Sequence, residues 1–110
     1  MKKEEKKNTQ LVEELKALLQ AKFSDYIDRV VLFGSRSTGT ANTDSDYDIL
    51  IILAKEYDWQ LEDEILSLCY EMDLKYDIVT DVKLISHREL STIKGKQPFI
   101  VNALESGIVA

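Results

Sequence analysis

Residues 30–48 read VVLFGSRSTGTANTDSDYD, and this stretch decides the fold. Its first four residues, 30–33, form an apolar run that is too short for a typical helix and predicts a buried strand. The strand ends at Gly34-Ser35, a corner at which the free N–H groups of a helix N-terminus can hold a phosphate. After Asp46-Tyr47-Asp48, a second apolar run at 49–53 predicts a second buried strand.

Two carboxylates, Asp46 and Asp48, stand at the head of the second strand. Strand side chains alternate between faces, so both aspartates are predicted to point to the same face. At a separation of ~5–7 Å they repel by roughly 2–3 kcal/mol in an effective dielectric of 20, and the apolar run beside them adds a desolvation cost. A divalent cation removes this cost, and Mg²⁺ usually takes one or two carboxylates together with substrate phosphates. The pair therefore predicts a magnesium site next to a phosphate site.

The pattern of Gly34-Ser35, ten residues, and Asp46-Tyr47-Asp48 between two buried strands resembles the signature of the DNA polymerase β-like nucleotidyltransferases. Within them the chain is similar to the single-domain minimal nucleotidyltransferase (MNT) group, and the resemblance extends from the helix before Val30 to residues 105–107. The alternative is a polar turn between two strands. Such a turn would not need a glycine, a serine and two aspartates at these particular spacings. The resemblance implies an α/β (α+β) fold in which a small mixed β-sheet is flanked by helices.

The chemistry implied by the resemblance is in-line attack on a nucleotide α-phosphate, with pyrophosphate as the leaving group. Two Mg²⁺ ions are expected, with ATP as the substrate, and Asp46 and Asp48 would bind both ions. Gly34 would let the backbone approach the phosphates, and Ser35 would donate its hydroxyl and N–H groups to them. Arg36 either pairs with the phosphates or is solvated, and the sequence leaves both alternatives open.

A third aspartate completes the metal site in the resembling family, on a neighbouring strand. Residues 76–80 read as a third strand with Asp77 at its head, so Asp77 is predicted to bind the metal and to accept a proton. Two competitors remain. Asp73 lies near the end of a helix, where we expect it to be solvated, and Asp81 lies farther along the strand, where a surface role is expected.

Length and composition predict one domain, residues 1–110, with residues 1–8 as a disordered tail. The net charge of −6 argues against direct binding of nucleic acid, which normally needs a basic face. No apolar run approaches the ~20 residues of a membrane span. The single cysteine, Cys69, lies on the core stripe of a predicted helix, which indicates a buried, inert thiol and fits a reducing cytoplasm.

Helix signals recur along the rest of the chain. Helices are predicted to begin near Thr9, after Asp58, at the capping box of residues 86–89 and at Pro98. Further limits are predicted as follows: strands at 29–33 and 47–53, a short helix from Ser35 to Gly39, and Gly95 at the end of the helix that follows Ser86. His87, the single histidine, is interpreted as a surface residue.

The resemblance also implies a partner. Larger members of the superfamily carry a helical domain that helps to bind the acceptor, and this chain shows none. In the MNT group the partner is often a HEPN-domain ribonuclease toxin, and the small protein is its antitoxin, which attaches AMP to a toxin tyrosine. We therefore expect Mg²⁺-dependent transfer of AMP from ATP to a partner protein. The alternatives are a non-catalytic antitoxin or binding module that acts by contact alone, and a fragment of an enzyme that modifies small molecules.

Overall fold

The computed structural model describes residues 3–34, 46–92 and 96–110. In chain order its elements are α1 (Lys3–Phe23), β1 (Ile27–Phe33), β2 (Tyr47–Leu53), α2 (Trp59–Tyr76), β3 (Thr80–Ser86), α3 (His87–Leu90), α4 (Pro98–Ser106) and β4 (Ile108–Val109). No helix within these ranges is both long enough and apolar enough to cross a membrane.

The strands form one mixed sheet in the order β3-β2-β1-β4. Strand β1 is antiparallel to both of its neighbours, whereas β2 and β3 are parallel and are joined through α2. A parallel pair needs such a crossover, since its strands start at the same end. The starts of β2 and β3 therefore meet the end of β1 at one end of the sheet. This mixed sheet with flanking helices confirms the predicted α+β fold class.

Both faces of the sheet are covered, because the side chains of each strand alternate between two apolar cores. One core joins the sheet to α1 and α2 and includes Tyr47, Ile49 and Ile51 of β2. The other joins it to α4 and includes Leu50 and Ile52 of the same strand. Asp48 shares the α4 side with these last two residues by alternation, and it is the half-buried member of an otherwise buried strand.

Helix α1 begins earlier than the sequence predicts. It starts at Lys3 instead of near Thr9, and Asn8 is only 2% exposed. The prediction of a disordered tail is therefore wrong for residues 3–8. Leu18 is 39% exposed, whereas the core is lined by the other apolar residues of the helix: Leu11, Val12, Leu15, Leu19 and Phe23.

Strand β2 has the predicted limits, and β1 begins two residues before the predicted start. The third strand was predicted at 76–80, and this prediction is wrong because β3 covers Thr80–Ser86. Helix α2 starts at its predicted cap, where Asp58 accepts a hydrogen bond from the N–H of Leu61. It continues through Tyr76, since the side chains of Lys75 and Tyr76 both bond to Glu14 on α1.

The capping box is confirmed: Ser86 accepts from the N–H of Glu89, and the Glu89 carboxylate accepts from the N–H of Ser86. Pro98 begins α4 as predicted. The short strand β4, which pairs with Val31 and Leu32, was not predicted. The predicted helix from Ser35 to Gly39 and the predicted end at Gly95 lie outside the described residues.

Candidate functional site

Four residues mark the end of the sheet where β1 ends and β2 and β3 begin: Gly34, Asp46, Asp48 and Asp81. We call this the aspartate end. Asp48 stands opposite Phe33, the last residue of β1, in the antiparallel pair. On its other side Asp48 is the register partner of Asp81, the second residue of β3. Adjacent strands lie about 4.8 Å apart and paired residues point to the same face, so the two carboxylates are neighbours.

The Asp48 carboxyl is electrostatically strained. Burial raises its pKa above the ordinary value, the nearby charge of Asp81 raises it further, and Asp46 adds a smaller effect in the same direction. Lys83 acts in the opposite sense without cancelling the others. Removal from water disfavours the charged form, and so do like charges. Among the described residues, Asp48 therefore has the acidic neighbours that raise its pKa.

Gly34 leaves the space that the Asp48 carboxylate occupies. Its φ of +74° lies in the left-handed region, which side chains rarely adopt. A Cβ atom on Gly34 would lie 2.3 Å from Oδ2 of Asp48, far inside van der Waals contact. The glycine of the motif is thus needed both for the turn after β1 and for the approach of this carboxylate to the backbone.

Asp46 lies one residue before β2 and is exposed to solvent. Its charge contributes to the raised pKa of Asp48, which places the predicted pair in the same electrostatic neighbourhood. Ser35 and Arg36, the other two predicted phosphate ligands, lie outside the described residues. The structure therefore brings together Gly34, Asp46 and Asp48 of the predicted set.

Asp77 does not lie on a strand. It is the exposed residue that ends α2, with φ 53° and ψ 52° in the left-handed region, and its N–H donates to the carbonyl of Asp73. The prediction that placed it at the head of β3 is wrong, because the helix continues through Tyr76. Its role as a metal ligand remains a prediction, to which this position gives no support.

Asp73, the first competitor, is half-buried and has a structural role. Its carboxylate accepts from the hydroxyl of Thr80 at 2.6 Å and from the N–H of Thr80 at 3.3 Å. These bonds attach the end of α2 to the start of β3. The prediction that Asp73 is solvated is therefore wrong.

Asp81, the second competitor, takes the place across from Asp48 that sequence reasoning gave to Asp77. The sequence contained a signal for Asp81. This acid comes directly before a segment that is mostly aliphatic, Val82-Lys83-Leu84-Ile85. Its carboxylate accepts from Nζ of Lys83 at 3.0 Å. Asp81 is exposed, as was expected, although its neighbour is the strained Asp48.

Lys83 joins the aspartate end to α4. Its ammonium lies 5.6 Å from the centre of the Phe99 ring, a distance at which a cation is attracted to the ring face. Phe99 in turn stacks on Phe33 with ring centroids 6.4 Å apart. Among the residues that the structure describes, Lys83 is thus the cation beside these carboxylates, and it also contacts the Phe33–Phe99 pair.

The donor set fits a magnesium ion that shares its ligands with a nucleotide. Over the described ranges no three His, Cys, Asp or Glu side chains form a ready group for a metal, so these residues do not build an all-protein cage. Mg²⁺ seldom uses such a cage and is typically held by one or two carboxylates plus phosphates. Asp46 and Asp48, with the pKa of Asp48 raised, have the chemistry for that arrangement.

The opposite end of the sheet also carries charges, but they are matched. Asp28 at the start of β1 lies 2.6 Å from Nε2 of His87 and 3.3 Å from Nε of Arg29. The hydrogen bond with His87 is the main cause that lowers the pKa of Asp28. His87 is thus an exposed residue, as predicted.

Cys69 is buried, and burial raises the pKa of its thiol to about 12, which confirms the prediction of an inert thiol.

Residues 9–109 match the family described as nucleotidyltransferase domain. Two relatives from Methanocaldococcus jannaschii carry the name protein adenylyltransferase as a provisional assignment. One is 33% identical over 98 residues, which cover 89% of this chain and 92% of the relative. The other is 31% identical over 70 residues, 64% of this chain and 71% of the relative.

Two solved structures share the fold, each with 24% sequence identity and 88% of this chain covered. The first is a toxin–antitoxin complex, MntA–HpeT, in a double Asp-to-Glu mutant form, with a TM-score of 0.57 over 69% of that chain. The second is a toxin–antitoxin structure with AMP-PNP, with a TM-score of 0.50 over 84% of that chain.

Proposed function

The chain belongs to the nucleotidyltransferase domain family, and we propose that it catalyses Mg²⁺-dependent transfer of AMP from ATP to a partner protein. Membership confirms the resemblance that the Gly-Ser and Asp-x-Asp motif predicts, and with it nucleotidyl transfer as the type of enzyme. The observation that carries the finer proposal is the set of like charges around Asp48, whose pKa burial and its acidic neighbours raise. Such a set becomes favourable when a cation is bound.

Asp46 and Asp48 bind the metal in this proposal, and two ions are expected. The third position, predicted for Asp77, is reassigned to Asp81, which is supported by its register with Asp48. When bound, Mg²⁺ neutralises charge on the triphosphate and lowers the pKa of the attacking hydroxyl. Ser35 and Arg36 remain the proposed phosphate ligands. Gly34 keeps the backbone beside Asp48 free of a side chain.

The proposed step forms one bond and breaks one. An acceptor hydroxyl oxygen attacks the α-phosphorus, and the bond from that phosphorus to its bridging oxygen breaks. Pyrophosphate leaves with the bonding electrons. The hydroxyl proton passes to the Asp81 carboxylate. Lys83 donates a hydrogen bond to this carboxylate and so fixes its position.

The acceptor is proposed to be a protein. The names of the two M. jannaschii relatives support an adenylyltransferase that acts on protein, and the two toxin–antitoxin structures support a toxin as the partner. Following the resemblance, we propose a toxin with a HEPN domain and an antitoxin role for this chain. The proposal includes a reducing, cytoplasmic setting, which the free thiol of Cys69 supports.

A non-catalytic antitoxin that acts by contact is the second candidate. The observation in its favour is that Asp81 is paired with Lys83 and that no three acidic, His or Cys side chains in the described part are grouped for a metal. A pure binder, however, gains nothing from the strained carboxyl of Asp48.

The two candidates are separated by labelling. The chain, co-purified with its partner, is incubated with Mg²⁺ and ATP labelled at the α-phosphate. The proposal predicts label on the partner, none after EDTA, none with ATP labelled at the γ-phosphate, and none with Asp48→Asn. Asp28→Asn at the opposite end of the sheet is the matched control and should label normally. Inhibition of the partner that persists in the Asp46→Asn, Asp48→Asn double variant without any label would favour the binder.

A further inference from the structure

Helix α2 carries a line of large apolar side chains on its outer surface. Trp59, Leu66, Tyr70 and Leu74 are 74%, 37%, 62% and 67% exposed. Their spacings of seven, four and four residues place them along one side of a helix. We call these four residues the outer stripe; it is about 22 Å long at 1.5 Å per residue.

The outer stripe is not needed for the core. Ile65, Cys69 and Met72 already supply the buried face of α2, and at 100° per residue they lie on the other side of the helix. Single exposed apolar residues are normal on a protein surface, but four large ones along one side of a helix, interrupted here only by Asp63, indicate an interaction site. The stripe contains two large aromatic residues, Trp59 and Tyr70, and Trp and Tyr are common among the residues that dominate binding energy at interfaces.

All the charged residues that flank the outer stripe are acidic. They are Glu62, Glu64, Glu71 and, just after the helix, Asp77, while the acidic Asp63 lies within the line between Trp59 and Leu66. The basic residue of α2, Lys75, is engaged with Glu14 on α1. Within residues 6–34, 46–92 and 96–110 none of the five acids has a cationic partner. The charge of this surface is therefore left for a binding partner to match.

We infer that the outer stripe is the docking surface for a basic amphipathic helix of another protein, with an apolar face and Lys or Arg on its flanks. Two helices of this kind pack along their apolar lines, and the flanking charges select the partner. A second copy of this chain fits poorly. Pairing two outer stripes would bring acidic flanks against acidic flanks, and like charges across an interface disfavour it.

The surface leads towards the aspartate end. After α2 the chain continues to Val79, which is 61% exposed and whose carbonyl accepts from the N–H of Tyr47 at 2.9 Å. Tyr47 lies between Asp46 and Asp48 in the sequence. The C-terminal end of the outer stripe thus lies at the same end of the sheet as the candidate site, while α2 packs on the face opposite to that of the Asp48 side chain. In this respect the inference rests on the proposed function, because the docked protein is the one that receives AMP.

The test is site-specific photo-crosslinking in the cells from which the chain comes. The full chain carries Tyr70→p-benzoylphenylalanine, and the matched control carries Leu104→p-benzoylphenylalanine on α4, across the sheet from α2, where Leu104 is 41% exposed. After irradiation, the crosslinked peptide of the partner is identified by mass spectrometry. We expect position 70, and not position 104, to crosslink to a Lys- or Arg-rich amphipathic helix.

A second variant tests the stripe itself. Leu66→Glu with Leu74→Glu, in the position-70 background, should reduce the crosslink at least tenfold. Leu74 is 67% exposed and Leu66 is 37% exposed, so circular dichroism should stay as in the parent, and Leu74→Glu alone replaces the double variant where the thermal midpoint falls. A crosslink that survives this double substitution overturns the inference. So does an acidic crosslinked segment, a second copy of this chain, the same product from position 104, or no crosslink.

Docking and catalysis are read separately. The crosslink at position 70 should also form in the Asp46→Asn, Asp48→Asn background and without added ATP, whereas the AMP label requires those carboxylates. A crosslink without label would refute the proposed function and retain the docking surface. Label that is unchanged by Leu66→Glu with Leu74→Glu at limiting partner concentration would refute the docking surface alone.

Discussion

The two ends of the sheet treat an aspartate in opposite ways. At one end Asp28 has an imidazole and a guanidinium beside it, and its pKa is lowered. At the other end Asp48 is half-buried with Asp81 and Asp46 as its acidic neighbours, and its pKa is raised. The same side chain on the same sheet therefore stabilises the fold at one end and costs stability at the other. A carboxyl with a raised pKa gains stability when a bound cation adds positive charge, and perturbed groups of this kind cluster at functional sites.

The largest expected effect comes from Asp48→Asn. Transfer of AMP should fall by roughly 10³-fold, the loss seen when a group that stabilises transition-state charge is removed. A raised pKa in the folded state means that ionised Asp48 opposes folding, so its contribution to stability is present at acid pH and lost as pH rises through the folded pKa. The metal-free variant should therefore unfold at a higher temperature than the parent at pH 7, measured by calorimetry with EDTA. A lower midpoint would mean that Asp48 is paired, as Asp28 is.

Gly34→Ala should damage both fold and site. The left-handed φ costs about 1–3 kcal/mol for a residue with a side chain, and the new Cβ would collide with the Asp48 carboxylate. We expect a lower thermal midpoint and a weaker Mg²⁺-dependent stabilisation in the presence of ATP. Gly107→Ala is the control, because its Cβ would lie 2.3 Å from Val31 Cγ1 in the α4 core. It should lose stability but keep the shift on adding Mg²⁺ and ATP; equal loss of that shift in both variants would argue against a specific role for Gly34.

Asp81→Asn and Asp77→Asn decide between the two assignments of the third carboxylate. Asp81→Asn should lower the rate of transfer by about 10²-fold or more, the usual contribution of a positioned acid–base group. Asp77→Asn should keep the parent rate, since asparagine is well tolerated in the left-handed conformation that ends α2. Steady-state label transfer with both variants side by side measures this. The reverse pattern would restore Asp77 to the site in spite of its position at the helix end.

The smallest effect is expected at the matched end. Asp28→Asn should reduce the free energy of unfolding by less than about 1 kcal/mol at pH 7, because the ion pair is on the surface. A lowered pKa stabilises the fold above the unfolded value of 3.8, and this gain is lost as pH falls through the folded pKa. Urea unfolding of parent and variant should therefore differ at pH 7 and converge below the folded pKa. A difference that persists unchanged below the folded pKa would show that hydrogen-bond geometry, and not charge, dominates.

Local signals in the sequence predicted much of this architecture. The limits of β2 follow from an apolar run that is buried on both faces. The caps at Asp58 and Ser86 depend on hydrogen bonds between a side chain and a backbone N–H three residues away. Two elements depend on distant parts of the chain. Helix α2 continues through Tyr76, the first residue of the predicted third strand, and its last turn bonds to Glu14 on α1. Strand β4 has only two residues, whose strand character arises from pairing with β1.

The same division applies to the site. Gly34, Asp46 and Asp48 are close in sequence around β2, and their motif was enough to predict them. The residue opposite Asp48 depends on the register between β2 and β3. Because β3 begins at Thr80, four residues after the predicted start at 76, this residue is Asp81 and not Asp77. Lys83 was missed for the same reason, since its pairing with Asp81 depends on where β3 begins.

The proposed function requires Asp46 and Asp48 to bind a divalent cation together with the nucleotide. Its most direct test is a crystal structure of the chain with AMP-PNP and Mn²⁺, with the ion located by its anomalous signal. We predict a peak within about 2.2 Å of oxygen atoms of both carboxylates and of the triphosphate. A nucleotide bound with no such peak, or a peak that the Asp48 carboxylate does not reach, would contradict the proposed function.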